Sequence, residues 1–329
     1  MPDSGLGAAG GVIFFTAATR GKGRGPLFSV PEYPDITVYI ERLQKFAGGQ
    51  TLEGVRLLSP FVLRTAVPPI EDVFGLKVAS FRRLGKRIVF GFDKEYFVII
   101  HLMVLGRLFW RKRGCAIPKR RGLAAFDFDT GTLLFTESGT RKRASMHVVK
   151  GIDRLDSFNP GGLEVLEADL ERFRESLQRE NHTLKRSLTD PWLFSGIGNA
   201  YSDEILFSAR LSPVLQTQRM TEEQIAALFN AARDTLRTWT EKLRQETGEG
   251  FPKEVTAFHP DMAVHGRFGK PCVACGTKVQ RIVYAENETN YCPRCQTGGK
   301  LLADRSLSKL LHRDWPKTID ELEARTGKG

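Results

Sequence analysis

Four cysteines near the end of the chain constrain its fold most, because they are spaced as metal ligands. Cys272 and Cys275 form one Cys-x2-Cys pair, and Cys292 and Cys295 form a second pair after sixteen intervening residues. Four thiolates can surround Zn²⁺ tetrahedrally, and a tight turn in each pair supplies two of them. Because the chain itself fills all four positions, we expect one structural zinc ion that folds a ribbon and takes no part in chemistry.

The charge of the chain indicates a polyanionic partner. Lys and Arg number 49 against 38 Asp and Glu, which gives a net charge of +11 over 329 residues. Such an excess suits binding to phosphates, although a solvated basic surface without a partner explains the charge equally well. The sequence has no run of eighteen apolar residues. We therefore expect no membrane segment, and the paired cysteines suit a reducing bacterial cytoplasm.

The hydrophobic pattern divides the chain into five segments. Residues 1–29 are rich in Gly and Ala and predict a disordered extension that is absent from the mature protein. Residues 30–150 predict a helix followed by a β-sandwich, with a hairpin around residues 129–131. Residues 151–262 predict a helical domain, in which an apolar stripe from Leu163 to Leu177 favours a core helix. A zinc ribbon at 263–299 and a basic helical tail at 300–329 complete the chain.

Two glycines mark a turn before a predicted helix in the helical domain. Gly196 and Gly198 immediately precede a helix that we expect to begin near Asn199. A glycine turn lets the backbone approach a phosphate, and the helix start presents N–H groups to it. Lys185, one helix earlier, can reach the same anion. A tight turn that needs glycine only for helix packing stays an alternative.

Three motifs in this order resemble the formamidopyrimidine-DNA glycosylase/endonuclease VIII family. They are Pro-Glu-x-Pro-Asp at 31–35, Gly-Ile-Gly-Asn-Ala-Tyr at 196–201 and the four-cysteine ribbon. The similarity runs from Pro31 to about Gln296, and the glycine turn resembles that family's helix–two-turn–helix element. The resemblance implies an α+β multidomain fold and a bifunctional enzyme. Such an enzyme excises oxidised or ring-opened bases from duplex DNA and cleaves the strand as a lyase.

The resemblance also implies roles for individual residues. Pro31 is the expected nucleophile, attacking C1′ of the damaged nucleotide, and Glu32 is the acid that assists opening of the sugar ring. Lys86 matches the family lysine beside the sugar and phosphate, while Lys185 and Asn199 match residues that hold phosphates next to the lesion. An α-amino group titrates near neutrality, which suits an amine nucleophile.

Taken singly, these residues have simpler interpretations. A Pro-Glu pair before a helix is commonly a first-turn proline with a favourable acidic neighbour, and a lysine on a strand is commonly solvated. Moreover, Pro31 has a reactive amine only at a chain terminus, and residues 1–29 and Val30 precede it. Our hypothesis is that translation starts at Val30 and that removal of the initiating methionine exposes Pro31. Proteolytic maturation is a second route.

The chain departs from the family pattern where lesions are recognised. Val104 occupies the place of a methionine that often fills the void in the duplex, and the neighbouring Met103 is expected to face the other way along a strand. Arg141 and Arg143 alone represent the Arg-Phe wedge, and Asn287 replaces the DNA-binding arginine of the ribbon. The preferred lesion therefore stays open, with a slight preference for abasic sites and oxidised pyrimidines.

Two classes of function remain. The first is the repair enzyme acting on damaged duplex DNA, as a monomer associated with the nucleoid. The second is a non-catalytic zinc-ribbon DNA-binding protein of the same fold, whose nucleophile is blocked by the extension. Both predict salt-sensitive binding to duplex DNA, so covalent chemistry must separate them.

Overall fold

The computed structural model describes residues 30–139, 141–253, 255, 258–284, 287–303 and 316–325. The predicted extension at 1–29 and most of the predicted basic tail lie outside these ranges. None of the helices within them is long and apolar enough to cross a bilayer.

Helix α1 opens the described chain and runs from Tyr33 to Ala47. Its apolar side chains recur at helical spacing, so that Ile36, Tyr39 and Leu43 are fully buried against the β-sheets. The carboxylate of Asp35 accepts a hydrogen bond of 2.9 Å from the backbone N–H of Glu32. This bond satisfies a donor that the first turn of a helix leaves unpaired.

Eight antiparallel strands then form the predicted β-sandwich. The first sheet has the order β1-β6-β7-β5 and the second β2-β3-β4-β8. Phe90 and Phe126, one from each sheet, meet with ring centroids 5.5 Å apart in the shared core. The strands are β1 Leu52–Leu57, β2 Val78–Leu84, β3 Arg87–Phe92, β4 Tyr96–His101, β5 Gly106–Arg111, β6 Gly122–Phe128, β7 Gly131–Glu137 and β8 Ser145–Lys150. The predicted hairpin is confirmed as the β6–β7 connection.

Five helices follow the sandwich in the described part of the chain. The last four surround a second core, whereas Leu155 of the first packs against the outer face of the sheet β2-β3-β4-β8. The five are α2 Ile152–Asp156, α3 Leu170–Gln178, α4 Leu184–Thr189, α5 Asn199–Ser208 and α6 Glu222–Thr247. The expectation of one helix along the stripe from Leu163 to Leu177 is wrong for its first half. Asp169 caps α3 by accepting a hydrogen bond of 2.9 Å from Arg172, and Leu163 instead pairs with Phe194 as extended chain. The apolar residues are buried, but they lie on two different elements.

Polar contacts join the sandwich to the helical domain. Arg244 of α6 forms an ion pair of 2.6 Å with Glu41 of α1. Arg83 of β2 pairs with Glu164 and also donates 3.0 Å to the hydroxyl of Ser195. The N–H of Tyr33 also donates 2.9 Å to the carbonyl of Gly196, which holds the turn before α5 against the start of α1.

The zinc ribbon packs on the helical domain. Strands β9 Gln280–Tyr284 and β10 Asn287–Tyr291 form the predicted hairpin, followed by helix α7 Pro293–Thr297. Helix α8 Ile319–Arg325 lies next to the end of the ribbon, since the N–H of Ile319 donates 2.9 Å to the carbonyl of Gly299 and that of Leu301 donates 2.8 Å to the carbonyl of Lys317. Short 3-10 turns lie at Pro60–Val62, Ile70–Val73, Asp93–Glu95 and Thr217–Arg219.

Candidate functional site

The carboxylate of Glu32 crosses the domain boundary and binds the start of α5. Glu32 has no exposed surface, and its side chain accepts hydrogen bonds from the N–H groups of Gly198 (2.6 Å), Ala200 (2.8 Å) and Tyr201 (3.2 Å). Free N–H groups are expected at this helix start, but those of Gly198, Ala200 and Tyr201 are engaged by the chain's own acid. The contact of Gly196 and Gly198 with DNA stays a prediction. The attraction between a helix start and negative charge is used to hold the chain's own acid.

Gly198 allows the Glu32 carboxylate to approach the start of α5 this closely because it has no side chain. A Cβ atom there would overlap the ammonium of Lys86 and lie 2.6 Å from the carboxyl carbon of Glu32. Gly196 has a φ of +78°, which lets the chain turn sharply before the helix. The two glycines are thus required by close approach and by turn geometry, which agrees with the packing alternative for this motif.

Lys86 lies in the turn between β2 and β3, beside Glu32. Burial lowers the pKa of the Lys86 ammonium, the nearby Glu32 carboxylate opposes that shift, and the positive charge of Lys185 adds to it. Pro31 is buried and directly precedes Glu32. The three residues predicted to be catalytic therefore lie together at the junction of the two domains.

The two predicted phosphate ligands lie at the same helix start. Lys185 donates a hydrogen bond of 2.6 Å to the carbonyl of Asn199 and pairs with Asp203 at 2.5 Å. The side-chain amide of Asn199 donates 2.9 Å to the carbonyl of Glu288 in the ribbon. Helix α5 is thus the element on which the sandwich, the helical domain and the ribbon converge.

Asp203 is a central residue that the sequence interpretation missed. Its fully buried carboxylate contacts Lys185, the Nδ1 atom of His265 at 2.8 Å and the N–H of Asn290 at 3.0 Å. Burial favours its neutral form, but the charge of Lys185 and the hydrogen bond with His265 hold the pKa of Asp203 below its usual value. Helical spacing could have identified this residue, because Asp203 follows the predicted phosphate ligand Asn199 by one turn of the helix.

The four predicted zinc ligands converge. Their sulfur atoms all lie within 4.8 Å of one another, with 3.4 Å between Cys275 and Cys292 and 4.0 Å between Cys272 and Cys295. Zinc–sulfur bonds of about 2.3 Å place tetrahedral thiolates roughly 3.8 Å apart, so the arrangement fits one ion.

The residues predicted to act on the lesion lie on loops at one end of the sandwich. Arg141 and Arg143 are exposed in the β7–β8 loop, where the carboxylate of Glu137 accepts the N–H of Arg143 at 2.9 Å. Strand β4 ends at His101, and Met103 lies in a turn with a φ of +52°. The strand alternation expected for Met103 is therefore wrong. Asn287 begins β10, opposite Tyr284.

The three modules define a zinc-ribbon protein of the helix–two-turn–helix type. The chain belongs to the formamidopyrimidine-DNA glycosylase family. The model of that family's N-terminal domain matches residues 30–146, and its H2TH domain model matches residues 162–247. The model of a zinc finger found in FPG and IleRS matches residues 269–298.

Known proteins similar to this chain carry the same family name. A formamidopyrimidine-DNA glycosylase of Ligilactobacillus salivarius is 27% identical over 287 residues, covering 81% of this chain and 99% of that protein. An uncharacterised formamidopyrimidine-DNA glycosylase-like protein of Mycobacterium tuberculosis is 36% identical over 155 residues, covering 47% of this chain and 94% of that protein.

Solved structures share the fold. The Lactococcus lactis Fpg in complex with DNA containing an abasic site superposes with a TM-score of 0.72 at 24% identity, covering 81% of this chain and 99% of that one. The same protein in complex with DNA containing an oxidised pyrimidine has a TM-score of 0.72 at 25% identity, covering 81% of this chain and 100% of that one.

Proposed function

We propose that this chain is a base-excision DNA glycosylase that removes oxidised or ring-opened bases from duplex DNA and then cleaves the strand as a lyase. One observation carries the proposal: the Glu32 carboxylate is held against α5, beside Lys86 and directly after Pro31. An acid, an ammonium and a potential amine nucleophile thus occupy one junction. Family membership and the names of the relatives support the same activity.

The reaction begins with the nitrogen of Pro31. Its lone pair forms a bond to C1′ while the bond from C1′ to the damaged base breaks, and the base leaves with that electron pair and takes up a proton from solvent. The proton that the Pro31 nitrogen carried passes to the neighbouring Glu32 carboxylate. Glu32 gives a proton to the ring oxygen O4′, so that the sugar opens and a Schiff base forms between Pro31 and C1′. Loss of a proton from C2′ then expels the 3′-phosphate.

The surroundings of Glu32 suit this role. Three N–H groups fix its carboxylate, so the acid does not have to be ordered when DNA arrives. Lys86 provides positive charge beside the sugar phosphate, and its lowered pKa makes proton transfer easier than for a solvated lysine. Both residues act on the nucleotide that Pro31 attacks.

The remaining predicted residues hold DNA. Lys185 and Asn199 bind phosphates flanking the lesion, and Arg141 and Arg143 enter the space left when the base leaves the stack. Asn287 adds a ribbon contact. We further propose that residues 30–150, 151–262 and 263–299 are the three domains, and that the enzyme acts as a monomer on chromosomal DNA.

The amine of Pro31 decides between an enzyme and a DNA-binding relative. In a chain that includes Val30, the nitrogen of Pro31 belongs to an amide and cannot form a Schiff base. The test is borohydride trapping on duplex DNA with one abasic site, comparing protein that begins at Pro31 with the 329-residue chain. We expect a covalent adduct only with the shorter protein.

A matched variant and a second substrate sharpen the test. Glu32→Gln in the shorter protein retains the shape of the side chain but removes the proton donor, so we expect at least about 100-fold slower trapping with DNA still bound. Duplexes with an oxidised purine, an oxidised pyrimidine or an abasic site then rank the substrates, and we expect the latter two to be preferred. Tight binding without any adduct from either protein contradicts the enzyme proposal and leaves the non-catalytic alternative.

A further inference from the structure

His265 lies between α6 and the first cysteine pair, and the protein encloses its ring almost completely. The residue is 2% exposed, and the ring stacks on Phe258 with centroids 5.2 Å apart. Its Nδ1 atom lies 2.8 Å from a carboxylate oxygen of Asp203, whereas Nε2 has no hydrogen-bond partner among the residues that the structure describes. Within the described chain, Asp203 is therefore the one hydrogen-bond partner of this ring.

The hydrogen bond between His265 and Asp203 has a defined direction. A carboxylate only accepts hydrogen bonds, so Nδ1 carries the proton and is the donor. The next residue of α5 holds the same segment through its main chain, because the Glu204 carboxylate accepts the three N–H groups from Ala263 to His265 at 2.7 to 2.9 Å. The histidine is thus fixed against α5 and can fix the Asp203 carboxylate in turn.

The two carboxylate oxygens of Asp203 face different partners. One oxygen meets the Lys185 ammonium at 2.5 Å. The other accepts from Nδ1 of His265 at 2.8 Å and from the N–H of Asn290 in the ribbon at 3.0 Å. Because rotation of the carboxylate would break both bonds to the second oxygen, the histidine and the ribbon keep the first oxygen directed at Lys185.

The position of Asp203 decides where the Lys185 ammonium points. An ammonium has three N–H donors. Asp203 and the carbonyl of Asn199, at 2.6 Å, take two of them. The Lys185 side chain is 13% exposed, so the third donor has a narrow opening to an outside anion. A lysine without such anchors samples many rotamers, and fixing two donors therefore prepares the third for binding.

We propose that His265 is a positioning residue for the phosphate contact of Lys185, because its Nδ1–H holds Asp203 and Asp203 holds the ammonium toward the DNA backbone. The histidine does not touch DNA itself, since its side chain is 1% exposed. The inference rests on the proposed function, in which Lys185 is a phosphate ligand. It extends the binding site inward, from the surface lysine through a buried acid to the chain before the cysteines.

Two substitutions separate the hydrogen bond of the ring from its packing. His265→Phe retains a ring that can stack on Phe258 but removes the donor. His265→Asn removes the ring but places an amide N–H on Cγ, where Nδ1 is attached. Binding of the full chain is measured over a range of salt concentrations, with a duplex that contains a non-cleavable tetrahydrofuran analogue of an abasic site.

We expect His265→Phe to bind about 10-fold more weakly, with a salt slope smaller by about 1, because Lys185 is no longer held toward the phosphate. His265→Asn should bind within about threefold of the parent, because its donor still reaches Asp203. His265→Gln is a second variant without the donor, since its amide lies one bond further out. It should show the same loss as His265→Phe.

The matched control is His259→Phe. His259 also pairs with a carboxylate, that of Glu246 at 3.1 Å, and its ring also packs on an aromatic side chain, that of Trp239 at 5.1 Å. Its acid, however, faces Lys242 at 3.9 Å rather than Lys185. We therefore expect the control to retain the affinity and the salt slope of the parent.

A double-mutant cycle and modified DNA test the route through Lys185. In a Lys185→Met background, His265→Phe should weaken binding little further, because the contact that it supports is already lost. Neutral methylphosphonates are then placed singly along each strand. Where a neutral linkage weakens the parent but not Lys185→Met, it should also weaken His265→Phe less than the parent, while His265→Asn should respond as the parent does.

The outcomes separate this inference from the proposed function. Equal losses for His265→Phe and His265→Asn, or additive losses for His265→Phe and Lys185→Met, would show a packing role and contradict the positioning proposal. If the protein that begins at Pro31 traps abasic DNA and His265→Phe binds as the parent does, the positioning proposal is wrong and the enzyme proposal stands. If the parent neither binds nor traps DNA, both proposals fail.

Discussion

Asparagine in place of Asp203 tests how the anchoring of Lys185 contributes to stability. The substitution retains the shape of the side chain but removes the charge that meets Lys185 at 2.5 Å, His265 at 2.8 Å and the N–H of Asn290 at 3.0 Å. The Lys185 side chain is only 13% exposed, so water replaces little of the lost interaction. Removing one partner from a buried pair costs about 3–5 kcal/mol, and the retained amide oxygen places this variant near the lower value.

The assay is urea unfolding of the full chain, followed by tryptophan fluorescence. With slopes of about 1–3 kcal/mol per molar, a loss of about 3 kcal/mol lowers the midpoint by roughly 1 M or more. The control is Asp261→Asn, which removes an acid that pairs with Lys242 on the surface. Exposed ion pairs are worth about 0–1 kcal/mol, so the midpoint of that variant should hardly move.

A double-mutant cycle tests the reasoning behind this magnitude. Lys185→Met leaves the Asp203 carboxylate buried without its main partner, whereas Lys185→Met with Asp203→Asn removes both charges. The double variant should therefore lose several kcal/mol less than the sum of the single losses. Additive losses, or an Asp203→Asn loss below about 1 kcal/mol, would refute the view that this pair acts as one buried unit.

Three further predictions concern a buried acid, the domain junction and zinc. Burial raises the pKa of Asp35 from 3.8 to about 7. Between these two values the folded state retains a proton that the unfolded state has lost, so the free energy of unfolding falls as the pH rises from about 4 to about 7. Asp35→Asn should therefore gain stability relative to the parent between pH 4 and about pH 7 in urea unfolding, and a constant difference would contradict this. Arg83→Ala breaks the contact with Glu164, so calorimetry should show the sandwich and the helical domain unfolding in more separate transitions than in the parent. Chelation of zinc should unfold the ribbon, release Asn199 from Glu288 and so weaken binding to duplex DNA, and added zinc should restore that binding. Unchanged binding after chelation would contradict a role of the ribbon in holding DNA.

Local patterns in the sequence predicted the modules well. Cysteine spacing predicted the ribbon, alternating runs predicted strands such as Arg87–Phe92, and helical spacing predicted α1. These features depend on neighbours within a few residues, which is the range over which hydrophobic periodicity and turn chemistry act. The resemblance to a known family added the grouping of Pro31, Glu32 and Lys86.

Contacts between distant segments were not predictable from those patterns. The N–H of Gly198 and the carboxylate of Glu32 are 166 residues apart, and no local period shows that one caps the other. The same holds for Asp203, whose partner Asn290 lies 87 residues away. The late start of α3 was missed for a different reason, since apolar residues on a helix and on an adjoining extended segment produce one continuous stripe.

The contact between Glu32 and α5 also has a consequence in time. A ribosome that adds about 5–20 residues per second needs roughly 10–30 seconds to extend the chain from one side of this contact to the other. During that interval the sandwich has its acid, but the helix start that must hold it does not yet exist. A truncated or half-synthesised chain therefore carries the residues of the site without the geometry, and the reactive junction is completed only after the helical domain has folded against the sandwich.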